Sequence, residues 1–114
     1  MIKVNLYYNK QKDLCRFRLY GHAEYAEYGQ DIVCAAVSMI VINTINSIES
    51  FTNEPLITNQ DANTGWLECV FPNMPKGKGS KEAKLLLKSM VLGLESVKKE
   101  YWSYIQIDIH QGGE

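Results

Sequence analysis

The sequence predicts an α+β two-layer sandwich, a mixed β-sheet with two helices on one face, in the order β-β-α-β-β-α-β. Three observations predict it. Apolar and polar residues alternate in short runs at 2–8, 15–20, 66–71 and 105–110. Two longer segments, 32–51 and 80–101, carry their apolar residues at helical spacing instead. Strand pairs separate those helices, and no internal repeat or low-complexity stretch calls for a second unit, so residues 1–114 are expected to form one domain.

The first strand places Ile2, Val4, Leu6 and Tyr8 on one face and Lys3, Asn5 and Tyr7 on the other. The polar cluster Asn9 to Asp13 reads as a hairpin turn. A second strand follows, with Cys15, Phe17 and Leu19 inward and Arg16, Arg18 and Tyr20 outward. Residues 32–51 read as a helix that is apolar almost all round in its first half, which requires burial on most sides, against the sheet and a second helix or subunit. Its end keeps apolar residues only at Ile45 and Ile48 and emerges toward water, and Pro55 ends it by disfavouring helical geometry at Glu54. A weak strand around Leu56 to Thr58, a turn at Asp61 to Gly65 and a strand from Trp66 to Phe71 come next. Cys69 shares a face with Leu67 and Phe71 there, so it and Cys15 read as small core hydrophobes.

Residues 72–80, PNMPKGKGS, form a basic loop rich in glycine and proline. A phosphate loop needs a glycine, four residues and then Gly-Lys-Ser/Thr, whereas here Gly77-Lys78 precedes Gly79 and the first glycine is missing. The loop instead ends at Ser80, a cap for a helix whose stripe is Ala83, Leu86, Leu87, Met90, Leu94, Val97 and Tyr101. The last strand alternates Ile105, Ile107 and Ile109 against Gln106, Asp108 and His110, and QGGE reads as a frayed tail.

Composition narrows the function classes. Hydrophobic residues are 46% and charged residues 22%, the balance of a folded globular chain. A net charge of −1 gives no general attraction to nucleic acid or anionic membrane, and no strand carries an RNA-stacking aromatic pattern, so no direct nucleic-acid partner is expected. The longest apolar run, 32–42, is shorter than the roughly 18 residues that cross a bilayer, and the N-terminus lacks a signal-peptide pattern. The reading is a cytoplasmic protein without a membrane partner. Three cysteines without framework spacing, no C-x-x-C pair and two distant histidines argue against disulfides and a zinc site.

The chemistry concentrates in YGHAEYAEYGQDIVCAAVS, residues 20–38. Asp31 reads as the cap of the first helix, which puts Cys34 in its first turn, where unpaired N–H groups and the helix dipole favour a thiolate. A free cysteine is only about 3% thiolate at pH 7. A helix terminus supplies roughly 1 kcal/mol or less, about 0.7 pK unit, so the dipole alone leaves most of the thiol protonated. An imidazole must complete the activation, and His22, at the end of the second strand, is the candidate. Gly21 beside it permits an unusual backbone turn, and Gly29 stands before the cap, where positive φ is often required. The glycine-bracketed segment between His22 and Asp31 reads as a lid. The plainer alternatives are a core cysteine in an apolar helix and a surface histidine at a strand end.

These residues carry a resemblance. GHA, then Gly29, Asp31 and VCAAVS resemble the signature of the ribosomal-processing cysteine protease Prp family: Gly-His, a short loop, then Gly-x-Asp-x-x-Cys-Ala-Ala-x-Ser. Length and element order fit along the whole chain. The resemblance implies a cysteine endopeptidase that removes the N-terminal extension of a bacterial large-subunit ribosomal protein, the twenty-seventh in the standard count. It also implies a homodimer that needs no metal and no cofactor. Cys34 would then be the nucleophile and His22 the base. Asp31 would cap the helix or orient His22, with the cap favoured. Ser38, one turn beyond Cys34, would hydrogen-bond within the site or to its own helix backbone. The alternatives are a non-catalytic ribosome-assembly or peptide-binding module, and a cysteine-dependent acyltransferase or redox sensor, the last weakened by the lack of a resolving cysteine.

Overall fold

The structure, a computed structural model, describes residues 1–21, 28–61 and 63–112, with the backbone alone for 28–31. Seven elements follow in the order β1 (Ile2–Tyr8), β2 (Leu14–Tyr20), α1 (Tyr28–Phe51), β3 (Ile57–Asp61), β4 (Trp66–Val70), α2 (Lys81–Glu100) and β5 (Ile105–Gln111). They form the expected two-layer α+β arrangement. The sheet runs β3-β4-β2-β1-β5 and is mixed, with β1 parallel to β5 and the other pairs antiparallel.

Connectivity explains why both helices share a face. β2 and β3 both pair antiparallel with β4, so β2-α1-β3 is a parallel crossover, and β4-α2-β5 is a second. The two crossovers start from oppositely directed strands and move in opposite directions across the sheet. Right-handedness of each therefore places α1 and α2 on the same side. The period-2 pattern faces them: Ile2, Val4, Leu6, Phe17, Leu19 and Cys69 are fully buried beneath Val33, Val37, Val41 and Ile48 of α1 and Leu87, Met90 and Leu94 of α2. Phe17 and Phe71 pack in this core with centroids 6.1 Å apart.

The opposite face of the sheet carries the outward set. Tyr7 stacks on His110 at 4.5 Å, and Arg16 lies 4.0 Å over the Tyr7 ring. Arg16 and Arg18 flank Glu68 at 3.7 and 3.4 Å. The His110 Nε2 sits 2.9 Å from the Asn5 Oδ1.

Ser80 caps α2 as its sequence position indicates: its hydroxyl accepts from the Ala83 N–H at 3.1 Å. A contact not foreseen from sequence joins the two helices' ends. Glu54, buried just past α1, accepts the Ser80 N–H at 2.6 Å through its Oε1, which places a carboxylate at the α2 N-terminus, where the helix dipole favours it. Asn9 likewise ties the β1–β2 turn to the 72–80 loop by donating its side-chain amide to the Met74 carbonyl at 3.1 Å.

Four expectations are corrected. α1 begins at Tyr28, so Asp31 lies inside its first turn rather than at its cap, and Gly29 is helical rather than left-handed. A cap residue marks where a helix can start, but the apolar run beyond it extends cooperatively, and the first N–H groups need no helical partner, so one further turn joins it. Second, within the single chain α1 is not buried on most sides: Ile32, Met39 and Ile42 are 38%, 65% and 47% exposed, because α2 covers only one flank. Third, the frayed tail begins later. Gln111 extends β5, and the Gly112 N–H donates to the Tyr8 carbonyl at 2.9 Å. Fourth, α1 from Ile32 to Phe51 is long and apolar enough to cross a membrane by length and composition, although its longest unbroken apolar run is short. Five of its residues, Val33, Val37, Val41, Ile45 and Ile48, are packed in the core, and a core helix carries that composition for the same reason.

Candidate active site

Cys34 projects from the second turn of α1, next to Val33 and Val37, which point straight into the core. The 100° step between neighbours rotates it to the helix flank, where it packs on the core's margin and stays half-buried. With the helix opening at Tyr28, the terminus lies a turn away, and helix-dipole effects fall off within the first turn. Activation of the thiol therefore falls more heavily on a neighbouring side chain than the sequence pattern implied.

Gly21 closes β2 at φ +97°. A Cβ there would stand 2.5 Å from the Met1 carbonyl oxygen and 3.2 Å from the Ile2 Cα, so both conformation and space require glycine. β2 thus ends on a conformation and a close approach that only glycine accepts, immediately before His22. His22 itself, residues 23–27 of the lid expected between His22 and Asp31, and the side chain of Asp31 lie outside the described residues, whereas residues 28–30 of that segment are the start of α1 and not a loop.

Ser38 sits one turn along from Cys34 and is half-buried. It opens onto a cavity of about 190 Å³ lined also by Leu19, Ile42, Gln60 and Leu67, with Asp61, Gly65 and Trp66 at the β3–β4 turn. Sequence patterns did not single out this cavity. Its signal was present in the spacing, since Cys34, Ser38 and Ile42 recur every four residues along one flank of α1.

The other chemistry-bearing residues are placed elsewhere. Cys15 and Cys69 are buried in the sheet, as their alternation predicted. Burial pushes the Cys69 thiol from 9.0 up to about 12, with smaller contributions from the Glu49 and Glu68 carboxylates. His110 is engaged with Tyr7 and Asn5 on the face of the sheet turned away from the helices. Among the described residues no three His, Cys, Asp or Glu side chains gather where they could hold a metal ion.

Comparison with known proteins decides the family. A sequence model described as "Cysteine protease Prp" matches residues 1–106. The chain belongs to the cysteine protease Prp family. The ribosomal processing cysteine protease Prp of Staphylococcus aureus is 32% identical over 108 residues, covering 95% of this chain and 98% of that protein. A crystal structure of the essential ribosomal processing protease Prp from S. aureus with a substrate peptide superposes with a TM-score of 0.86 at 28% identity, covering 96% of this chain and 99% of the other. A second, with a covalently linked product peptide, gives a TM-score of 0.83 at 30% identity, covering 96% and 99%. Membership in the Prp family makes this chain a cysteine protease, and of its three cysteines Cys34 alone is not buried in the sheet.

Proposed function

We propose that this protein is an endopeptidase acting through a Cys34–His22 dyad on the N-terminal extension of a large-subunit ribosomal protein, the twenty-seventh in the standard count. The observation that carries the reading is the position of Cys34. It is half-buried on the flank of α1, while Cys15 and Cys69 are sealed in the sheet. The chain has two histidines, and His110 faces the other side of the sheet, which leaves His22 to serve as base.

In this reading Cys34 Sγ attacks the scissile carbonyl as His22 takes its proton. His22 returns that proton to the leaving amine, and water hydrolyses the resulting thioester. Asp31 in the first helical turn and Ser38 one turn beyond Cys34 are supporting residues. The reaction requires no metal or cofactor. Exposed apolar side chains on the two helices, Met39 at 65%, Leu85 at 68% and Leu92 at 67%, support a homodimer.

The test is mass spectrometry of the extended ribosomal protein after incubation with this protein. Removal of the N-terminal extension, lost with Cys34→Ala and with His22→Ala, is the expected result. Binding of the extension without any cleavage would leave the peptide-binding module as the correct reading.

A further inference from the structure

We propose that the end of the molecule opposite Cys34 is a docking surface for the phosphate backbone of single-stranded RNA, built from lysines of the β1–β2 turn, the 72–80 loop and the first turns of α2. The charge is there whether or not the protein is a protease; the choice of RNA among polyanions rests on the ribosomal substrate proposed above.

The net charge of −1 that argues against a nucleic-acid partner is an average over an uneven distribution. Residues 9–13 and 72–88 hold seven lysines and two carboxylates, a local charge of +5, so the remainder of the chain carries −6. The fold brings these segments together. Asn9 ties the turn to the loop through the Met74 carbonyl, and Lys84 meets Asp13 at 3.4 Å. Lys12, Lys84 and Lys88 line one cavity of about 240 Å³, and Lys10, Lys76, Lys78 and Lys81 are exposed on the same loops and turn. The carboxylates bordering them offset only part of the charge. Asp13 is matched by Lys84, and Glu54 is buried with its Oε1 on the Ser80 N–H, which leaves Glu82 and Glu95.

Glu54 also shows where this end lies. It follows α1 directly and reaches the start of α2, so the C-terminal end of α1 meets the N-terminal end of α2 here. Cys34 stands 17 residues before Phe51, roughly 25 Å back along the helix at about 1.5 Å per residue. A polyanion held at this end leaves the thiol uncovered.

Chemistry selects the partner. Lysine ammonium groups on flexible stems neutralise phosphates without reading sequence. The cavity between α2 and the turn, with three ammonium groups and the Tyr8 side chain in its wall, has room for a phosphate group. Lys12 holds a left-handed φ of +66°, which most residues avoid, and hydrogen bonds from the Lys12 and Asp13 N–H groups to Asn9 keep it there. Phe51, 76% exposed at the end of α1, lines a second cavity with Lys78 and offers its ring to an unpaired base. That ring, bordered by Asn53, Glu54 and Glu82, is too polar a patch to enter a bilayer. An acidic polypeptide would use the lysines and leave the ring idle.

The experiment is fluorescence anisotropy of a labelled short single-stranded RNA of mixed sequence with the full chain. With about four phosphates neutralised, Kd is expected to rise about fiftyfold between about 50 and about 200 mM salt. The triple variant Lys12→Glu, Lys76→Glu, Lys78→Glu is expected to weaken binding about thirtyfold or more at the lower salt and to flatten that dependence. Lys98→Glu with Lys99→Glu, at the other end of α2, should change Kd less than about threefold. Phe51→Ala is expected to cost about fivefold with the salt dependence unchanged. Every variant should keep the wild-type melting midpoint and the wild-type rate of cleaving a short peptide. If the wild-type protein cleaves no peptide, the protease reading fails while the binding result still decides the surface. No RNA binding at the lower salt, or an equal loss from the Lys98 and Lys99 variant, would overturn the surface. Polyglutamate competing as well as RNA per charge, or phosphatidylglycerol vesicles binding with loss in the same triple variant, would overturn RNA as its partner.

Discussion

Cys34 and Cys69 are the same side chain in two regions of one small fold. Cys69 lies on β4 between its partners Phe17 and Thr58, with no solvent exposure and its thiol held up to about 12. Cys34 lies on the flank of a helix, half-buried at the margin of the core. Desolvation in a sheet disfavours the thiolate that any nucleophilic role requires, so a pleated core can store a cysteine safely. A helix flank at the margin of the core fixes the backbone and leaves the residue only half-buried. On the proposed reading, reactivity follows placement on an element, and three cysteines of one sequence divide into two stored and one usable.

The sharpest way to break that comparison is to remove the usable one. Cys34→Ala is expected to lower peptide cleavage by about 10³-fold or more, with the thermal midpoint little changed, as read by an activity assay beside a melting curve. The converse substitution tests the stored one. Cys69→Ser places an extra hydroxyl in a fully buried site and should cost about 1–3 kcal/mol in urea unfolding, while alkylation of Cys34 proceeds at the wild-type rate.

The pH dependence of stability probes the same contrast. The folded chain keeps the Cys69 proton between 9.0 and about 12, whereas the unfolded chain loses it in that window. The native state then binds more protons, so this contribution is fully present below pH 9.0 and is lost as pH rises toward 12. Unfolding midpoints of the wild-type protein should fall over that range, and the fall should be shallower in Cys69→Val. The smallest effect expected is at the α2 cap: Ser80→Ala should destabilise by about 1 kcal/mol without altering Cys34 alkylation.

Much of the fold was legible in sequence because period-2 and period-3.6 patterns report directly which faces are dehydrated. Val4, Phe17 and Cys69 on the sheet, and Leu87, Met90 and Leu94 on α2, lie where their spacing put them. Ser80 was legible for a local reason, since its hydroxyl serves a backbone N–H only three residues away. Glu54 was not, because its partner is the Ser80 N–H 26 residues on, and such pairing depends on how two helix ends meet. The start of α1 was misread because Asp31 satisfies a cap preference worth only about 1 kcal/mol, which helix extension overrides. The proposed nucleophile was legible through its motif. The cavity at Ser38 and Ile42 was not, because its floor comes from β3 and β4 and its wall from α1, and only the crossover brings Leu67 and Ile42 to one cavity.

The central claim, that Cys34 forms the acyl-enzyme, is tested most directly by quenching the reaction with the extended substrate in acid and locating the covalent peptide adduct by mass spectrometry. A thioester on Cys34, absent in Cys34→Ala and accumulating in the early phase of turnover, is the predicted result. An adduct on Cys15 or Cys69, or undiminished cleavage by Cys34→Ala, would contradict it.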